Sequence, residues 1–292
     1  GLFAGVTRTN IKSGLRMSTS KWWGIVMDND SYHQSVADYY DDEASTFESR
    51  ADSNPVLIEL RKQFREVVLN GNIESILEIG YGPGLDMVWF SEQEKNVVVH
   101  GLDITPNFHK IVLEKSEINQ KLNPLLGGPT EAVEHFEPSS IDTVYVFFGA
   151  LNTCGDLDLA VEQLSQILKP GGRIVATFVN KWYLFEIFWN LLTFRPTRAF
   201  ARLRRVWGGY SPTRHLASTC YSARQINRIF GKYLKKSHVK GYCITHPAWY
   251  RQHWAPIGGI RSRFLFNIDQ LLQWTPFWNC GEYSLYVYEK PV

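Results

Sequence analysis

The stretch SILEIGYGPGLD, residues 75–86, limits the fold more than any other part of the chain. A short apolar run ends in glycines at 80, 82 and 84, and a helix-like run, LDMVWFSEQE, starts at residue 85. Backbone that leaves a buried strand and turns at once into a helix needs small residues where the turn is tight and where a ligand presses on it. The dinucleotide fingerprint GxGxxG requires a glycine at 85, where Leu85 stands, and a phosphate loop requires Gly-Lys-Ser/Thr, which is absent.

The strand-then-helix pattern recurs. VVVHGLD (97–103), IDTVYVFF (141–148) and RIVATFV (173–179) read as strands, with a weakly marked one near 124–127. NFHKIVLEKSEINQKL (107–122) and LDLAVEQLSQILK (157–169) read as helices. Two more helices precede the set, at 31–50 and at 55–71, the second opened by Pro55 and ended by Gly71. Short strands alternating with helices give an α/β fold, a doubly wound and mostly parallel sheet. After Asn180 the alternation stops, and 181–232 read as helices rich in Trp, Phe and Arg. SHVKGYCIT (237–245) and GEYSLYVYEK (281–290) read as two closing strands. The expected organisation is a flexible or targeting tail over 1–30 and a core with N-terminal helices over 31–180. A cap of insertions interleaved with a late strand covers 181–280, and the last core strand 281–292.

With its acid at 78, the glycine run is ExGxGxG, and it resembles the first motif of class I S-adenosylmethionine-dependent methyltransferases of the small-molecule, type 11-like branch. Three further stretches resemble that family in the same order: HGLDIT around Asp103, SSIDTVYVFFGALN (139–152), and ILKPGGRIVATF (167–178). The resemblance implies a Rossmann-like seven-stranded sheet that binds S-adenosyl-L-methionine and releases S-adenosyl-L-homocysteine. It puts Glu78, Gly80, Tyr81, Gly82 and Gly84 against the methionine part, Asp103 on the ribose hydroxyls and Ile104 on the adenine, with Phe147 also among the cofactor-binding residues. Tyr39 and Tyr40 resemble residues that fold over the cofactor, with helix packing as the alternative. Where the family often has Asp-Ala after the third strand, with the Asp on the adenine amino group, this chain has Thr130 and Glu131, and the resemblance leaves either Thr130 accepting that hydrogen bond or Glu131 substituting for the Asp. FFGA stands where adenine-methylating members carry Asn-Pro-Pro-Tyr. Phe148 to Asn152 read FGALN, as in some small-molecule members, which leaves Asn152 either facing the substrate or capping a helix.

Methyl transfer from a sulfonium is an in-line displacement that needs positioning and exclusion of water more than a fixed triad. The candidates for acid–base work are therefore drawn from the cap: His246 and His253 in THPAWYRQHW (245–254), Glu186, and Asn152 before them, with His215, Tyr210, Tyr242 and Tyr250 nearby. Each has an ordinary structural alternative, which for Glu186 is a salt bridge. From Ile187 to Ile268 there is no acid but fifteen Lys and Arg, leaving sixteen bases against twenty-nine acids elsewhere. Such segregation speaks about partners. It suits a small anionic or aromatic acceptor, methylated at O, N or S. It also suits an anionic membrane surface carrying a lipid- or quinone-like acceptor. RNA is the weaker reading, and a solvated basic face is the plain one. A catalytically silent cofactor-binding partner and a nicotinamide-dependent oxidoreductase are the rival classes.

Four cysteines at 154, 220, 243 and 280 form no CxxC pair, so neither a zinc ribbon nor another metal site is expected. The most apolar run, WYLFEIFWNLLTF (182–194), is thirteen residues long and interrupted by Glu186 and Asn190, too short to span a bilayer. Residues 1–27 hold four basic residues and no acid, as in a transit-peptide remnant or a disordered tail. The expected location is the cytoplasm or the soluble phase of an organelle.

Overall fold

The computed structural model describes residues 20–22, 25–27, 29–93, 96–208 and 216–292. The tail expectation therefore falls largely outside the described residues, as do His215 and Tyr210.

Seven strands make one sheet: β1 (Ser75–Ile79), β2 (Val98–Asp103), β3 (Leu122–Leu126), β4 (Ile141–Val146), β5 (Leu168–Val179), β6 (Lys235–Tyr242) and β7 (Tyr283–Glu289). Their spatial order is 3-2-1-4-5-7-6. The first five are parallel, and β7 runs antiparallel to both β5 and β6. This is the doubly wound α/β fold expected from the alternation, with the seven strands that the resemblance implies. The chain reverses its direction of winding between β1 and β4, and a crevice opens at the carboxyl ends of strands flanking such a reversal.

The local chemistry of each element is visible. In α2 (Pro55–Leu69) the Asn54 side chain accepts the backbone N–H groups of Val56 and Leu57 at 3.1 and 3.2 Å, with Pro55 in the first turn. Val56, Leu60, Phe64 and Val68, spaced by four, form its fully buried stripe. β3 is weak in sequence because it contains Asn123 and Pro124, and the sheet places it at an edge, where a residue without N–H is tolerated. The PGG turn expected before the fifth strand is a bulge inside β5: Leu168 pairs with Ile141, and pairing resumes at Arg173 with Thr143.

The sheet is covered on both faces. One apolar cluster joins α2, α3 (Leu85–Ser91) and α4 (Pro106–Ile118) through Phe64, Phe90 and Val112; the other joins α6 (Leu157–Ile167) and α9 (Ala223–Phe230) through Leu164 and Phe230. β7 shows why a tyrosine-rich strand is stable in the interior. Tyr283, Leu285 and Val287 face the first cluster and Tyr286 and Tyr288 the second, so its alternation separates two buried faces instead of a wet one from a dry one. The long α1 (Asn29–Ser53) lies near the carboxyl ends of the strands. Of the helices expected over 181–232, α7 (Leu184–Leu192) and the short α8 (Pro196–Ala199) belong to the cap, whereas α9 rejoins the sheet layer; α5 (Ala132–His135) is a single turn, and α10 (Ile260–Leu272) lies in the last insertion.

Candidate active site

β1 carries Glu78 to its end, and the chain then passes Gly80, Gly82 and Gly84 with φ of 72, 54 and 79°, the left-handed region where glycine is at ease. A Cβ on Gly80 would stand 2.9 Å from that of Ala150, and one on Gly84 2.8 Å from Val112. Asp103, ending β2, closes the loop from the other side. Its Oδ2 accepts the Gly82 N–H and its Oδ1 the Thr105 N–H, both at 2.8 Å. Burial pushes the Asp103 carboxyl up, and those two backbone donors pull it back.

Glu78 is only 3% exposed and accepts the Tyr145 hydroxyl at 3.0 Å. Burial raises its pKa well above the usual carboxylate range, and the negative charge of Asp86 adds to the effect. Asp86 itself is clamped by Arg61 and Arg65 of α2, the latter at 2.7 Å, and Arg61 also lies over the Phe148 ring. That clamp fixes the first turn of α3 behind the glycines.

Arg61, Glu78, Gly80, Gly82, Asp86 and Asp103 line a cavity of about 700 Å³ at the switch between β1 and β4. Tyr39 and Tyr40 of α1 form part of its roof, with their rings edge to face at 5.1 Å and Tyr40 against Phe108. Tyr81, Ile104 and Phe147 are also in the wall, and the Tyr81 hydroxyl donates to the Leu125 carbonyl at 3.3 Å. Gly84 supports the loop from behind the wall. Thr130 and Glu131 do not border the cavity. They sit in a 3₁₀ turn just beyond β3, and Gly127, Gly128 and Pro129 stand in the wall instead.

At the cavity's other end the cap contributes charge and aromatic rings. Arg202 is buried between two carboxylates, Glu186 at the start of α7 and Glu282 just before β7, each 2.7 Å from its Nη2. The guanidinium also lies 4.5 Å from the ring centre of Trp207 and 5.0 Å from that of Tyr183. Tyr250 places its hydroxyl 3.5 Å from Glu282. Burial raises the Glu282 carboxyl while Arg202 opposes the rise. Burial likewise holds the Tyr250 phenol protonated, well above its usual range, with the Glu282 charge adding to it. Trp249 and Tyr283 complete this wall.

The other acid–base candidates lie elsewhere. His246 is fully buried, stacked on Phe266 at 4.1 Å, with Nε2 3.0 Å from the Ser262 hydroxyl; burial lowers its pKa, so it packs α10 as a neutral ring. His253 is exposed beside Trp254. Asn152 neither caps a helix nor borders the cavity. Its amide donates to the carbonyls of Val179 and Thr219 and accepts the Val179 N–H at 2.9 Å, tying the end of β5 to the chain that returns from the cap. The residues that sequence reasoning passed over are Arg61, Asp86, Arg202 and Glu282. Asp86 had a signal, the four-residue spacing of Arg61 and Arg65 on an amphipathic helix. Arg202 and Glu282 had none, because eighty residues separate the partners.

The family described as a methyltransferase domain matches residues 77–176. The chain is 30% identical over 105 residues to the uncharacterized methyltransferase YdaC of Bacillus subtilis, covering 36% of this chain and 55% of that protein. It is 27% identical over 177 residues to the malonyl-[acyl-carrier protein] O-methyltransferase of Erwinia pyrifoliae, covering 59% of this chain and 61% of the other. The chain thus spans less than two thirds of the curated relatives it matches. Among solved structures, geranyl diphosphate C-methyltransferase from Streptomyces coelicolor, in complex with S-adenosyl-L-homocysteine, superposes with a TM-score of 0.57 at 14% identity, over 89% of this chain and 98% of that one. At that identity the likeness is one of fold.

Proposed function

We propose, from the premise that residues 77–176 are a class I S-adenosylmethionine-dependent methyltransferase domain, that this chain transfers a methyl group to a heteroatom of a small acceptor with an aromatic or apolar body. The observation that carries the reading is one cavity bounded at one end by the glycine loop and Asp103 and at the other by the ring-lined cap. The residues present fit the cofactor. Backbone at Gly80 and Gly82 lies bare to the cavity, and Asp103, already holding two N–H groups, keeps lone pairs for a diol. Gly127 and Gly128 leave room on the adenine side. When bound, S-adenosylmethionine supplies an electrophilic methyl carbon on sulfur.

The chain's own residues do the rest. Asp103 and Glu78 hold the donor's polar ends, with Tyr39, Ile104 and Phe147 against its flat parts. The α1 roof keeps water out, and the rings of Trp207, Trp249, Tyr250 and Tyr283 orient the acceptor. Of the described basic residues of the cap, Arg202 alone borders the cavity, and two carboxylates hold it. That balance favours an aromatic acceptor over an anionic one. Calorimetric titration tests the donor half: S-adenosyl-L-homocysteine binds, NAD does not, and Asp103→Ala weakens the former at least tenfold. Unchanged affinity in Asp103→Ala removes the ribose assignment.

A second feature supports docking of the cap on an anionic bilayer. No helix among the described residues is long and apolar enough to cross a membrane, yet Phe188, Leu192 and Phe194 are 63, 73 and 92% exposed beside exposed Arg195, Arg198, Arg204 and Arg205. Apolar anchors in a basic, acid-free surround are the pattern of an interfacial segment. Salt-sensitive co-sedimentation with phosphatidylserine vesicles is the expected result, and no binding at low salt ends this reading.

A further inference from the structure

Two carboxylates share one guanidinium in the cap wall, and that inequality has a chemical consequence. Glu186, Arg202 and Glu282 all border the cavity, and Glu282 and Arg202 are nearly inaccessible from outside, with side chains 4 and 5% exposed. With all three ionised, the cluster carries one net negative charge among Tyr183, Trp207, Trp249 and Tyr250. Leaving a charge uncompensated in such surroundings is costly. Among the described residues no other cation of the cap forms an ion pair with it: Arg251 is spread over the rings of Phe185, Trp189 and Trp254 and lies 5.7 Å from the centre of the Tyr250 ring. Glu282 Oε2 is bonded to Arg202, while its Oε1 accepts no hydrogen bond from any described residue. The cavity thus presents a carboxylate oxygen free of hydrogen bonds beside the electron-rich rings of Trp207, Trp249 and Tyr250, the combination that recognises an organic cation.

We infer that the Glu186–Arg202–Glu282 cluster is the acceptor subsite, that it selects a nitrogen nucleophile able to carry a positive charge, and that Glu282 takes that nitrogen's proton. This deepens the methyl-transfer reading and rests on it. The atoms balance. An ammonium gives one N–H proton to Glu282 Oε1 and gains a lone pair. That pair forms the N–C bond as the S–C bond breaks, and the bonding electrons return to sulfur, leaving a neutral thioether and an N-methylammonium. Arg202 holds Glu282 in place without neutralising both acids, and the Tyr250 hydroxyl stands ready to donate to the same carboxylate. The role differs from those considered for Glu186 in isolation, because the pair of acids around one arginine creates the preference.

The test uses four matched probes: benzyltrimethylammonium, benzylamine, benzyl alcohol and phenylacetate. Their affinities are measured by calorimetry on the protein saturated with S-adenosyl-L-homocysteine, whose neutral thioether removes any help from a sulfonium. The expected result is binding of the two cations at least tenfold tighter than of the alcohol, with phenylacetate weakest. Glu282→Gln should erase the preference and leave S-adenosyl-L-homocysteine affinity unchanged. Glu186→Gln, whose side chain is partly open to solvent, serves the same purpose if the first variant does not fold. The fixed cation should also lose affinity in acid, as its carboxylate partner is protonated, while the alcohol should not. Equal binding of all four probes, or a preference untouched by both variants, overturns the inference and leaves the methyl-transfer reading standing. A cation preference without S-adenosyl-L-homocysteine binding overturns that reading instead and keeps the subsite.

Discussion

The two ends of the cavity are built on opposite principles. At the strand end the polar atoms are backbone: three glycines at positive φ and the N–H groups of Gly82 and Thr105, held by one carboxylate within some twenty-five residues of chain. At the cap end they are side chains brought from far apart, with Glu186, Arg202, Tyr250 and Glu282 meeting across three separate segments. A backbone site tolerates a change of side chain nearby but not a change of backbone conformation. A side-chain cluster behaves the other way round, because Arg202 is the shared counter-charge of both acids. The largest effect we expect is therefore in the cap. Arg202→Met leaves two carboxylates facing each other in a buried wall, a loss of about 3–5 kcal/mol of folding stability. Urea denaturation reads it, and a loss below about 1 kcal/mol would mean that the cluster opens to water.

The same contrast explains what could be read in the sequence. The strand end was legible because its chemistry is local: Glu78, the glycines and Asp103 sit at strand termini whose apolar runs are plain, and the sheet that holds them follows from alternation alone. The cap was legible in composition only. Fifteen bases without an acid between 187 and 268 suit an anionic acceptor, but of the described ones the cavity meets Arg202 alone, and the carboxylates facing it, Glu186 and Glu282, lie on either side of that interval. THPAWYRQHW concentrates acid–base residue types, yet the fold buries His246 on Phe266 and exposes His253, while Trp249 and Tyr250 from the same ten residues reach the cavity. Residue type is local information, and which side of a turn faces a cavity is not. Thr130 and Glu131 were misaligned with the wall for a related reason: Pro129 begins a 3₁₀ turn that carries them past it.

At the strand end the corresponding break is Gly80→Ala. A left-handed φ of 72° costs a non-glycine residue about 1–2 kcal/mol, and the new methyl would meet Ala150 at 2.9 Å. Stability should fall by that amount and donor affinity should fall with it, because loop and ligand share the same backbone. A variant that lost stability but bound S-adenosyl-L-homocysteine normally would separate the loop from the donor site.

A sharper comparison comes from pH. Burial raises the folded-state pKa of Glu282 above its unfolded value, so the native state binds the proton more tightly there. Its contribution is stabilising below the unfolded carboxylate range and is lost as pH rises through the raised folded value. Glu282→Gln removes that dependence. The melting temperature of the variant should gain on that of the native chain as pH is raised from about 4.3, the ordinary glutamate value, towards neutrality. Asp103 has a raised carboxyl too, but an amide offers one oxygen where two backbone N–H groups are held, so Asp103→Asn abandons one donor and should not gain in the same way. If Glu282→Gln instead loses ground towards neutrality, the attraction of Arg202 outweighs desolvation and the cluster is closer to charge balance than its geometry implies.

The smallest expected effect on stability belongs to the outer surface of the cap. On the helical wheel Glu186 and Asn190 point inwards, Phe185 and Trp189 pack on Trp254, and Phe188, Leu191 and Leu192 fill the remaining arc, open to solvent. Phe194, just past the end of α7, is bare. Substituting Leu192 and Phe194 together by Ser removes little packing, so folding stability should change by no more than about 0.5 kcal/mol per site, as for other surface changes. Vesicle binding should nevertheless drop sharply, because these two side chains supply the apolar contact while the arginines supply only attraction at a distance. The paired change Arg195→Gln with Arg198→Gln should act differently, flattening the salt dependence and leaving the residual, salt-independent part of the binding. If the serine variant binds phosphatidylserine vesicles as the native chain does, the exposed face of α7 serves some other partner; if it abolishes a concentration-dependent self-association seen in sedimentation velocity, that partner is a second copy of the chain.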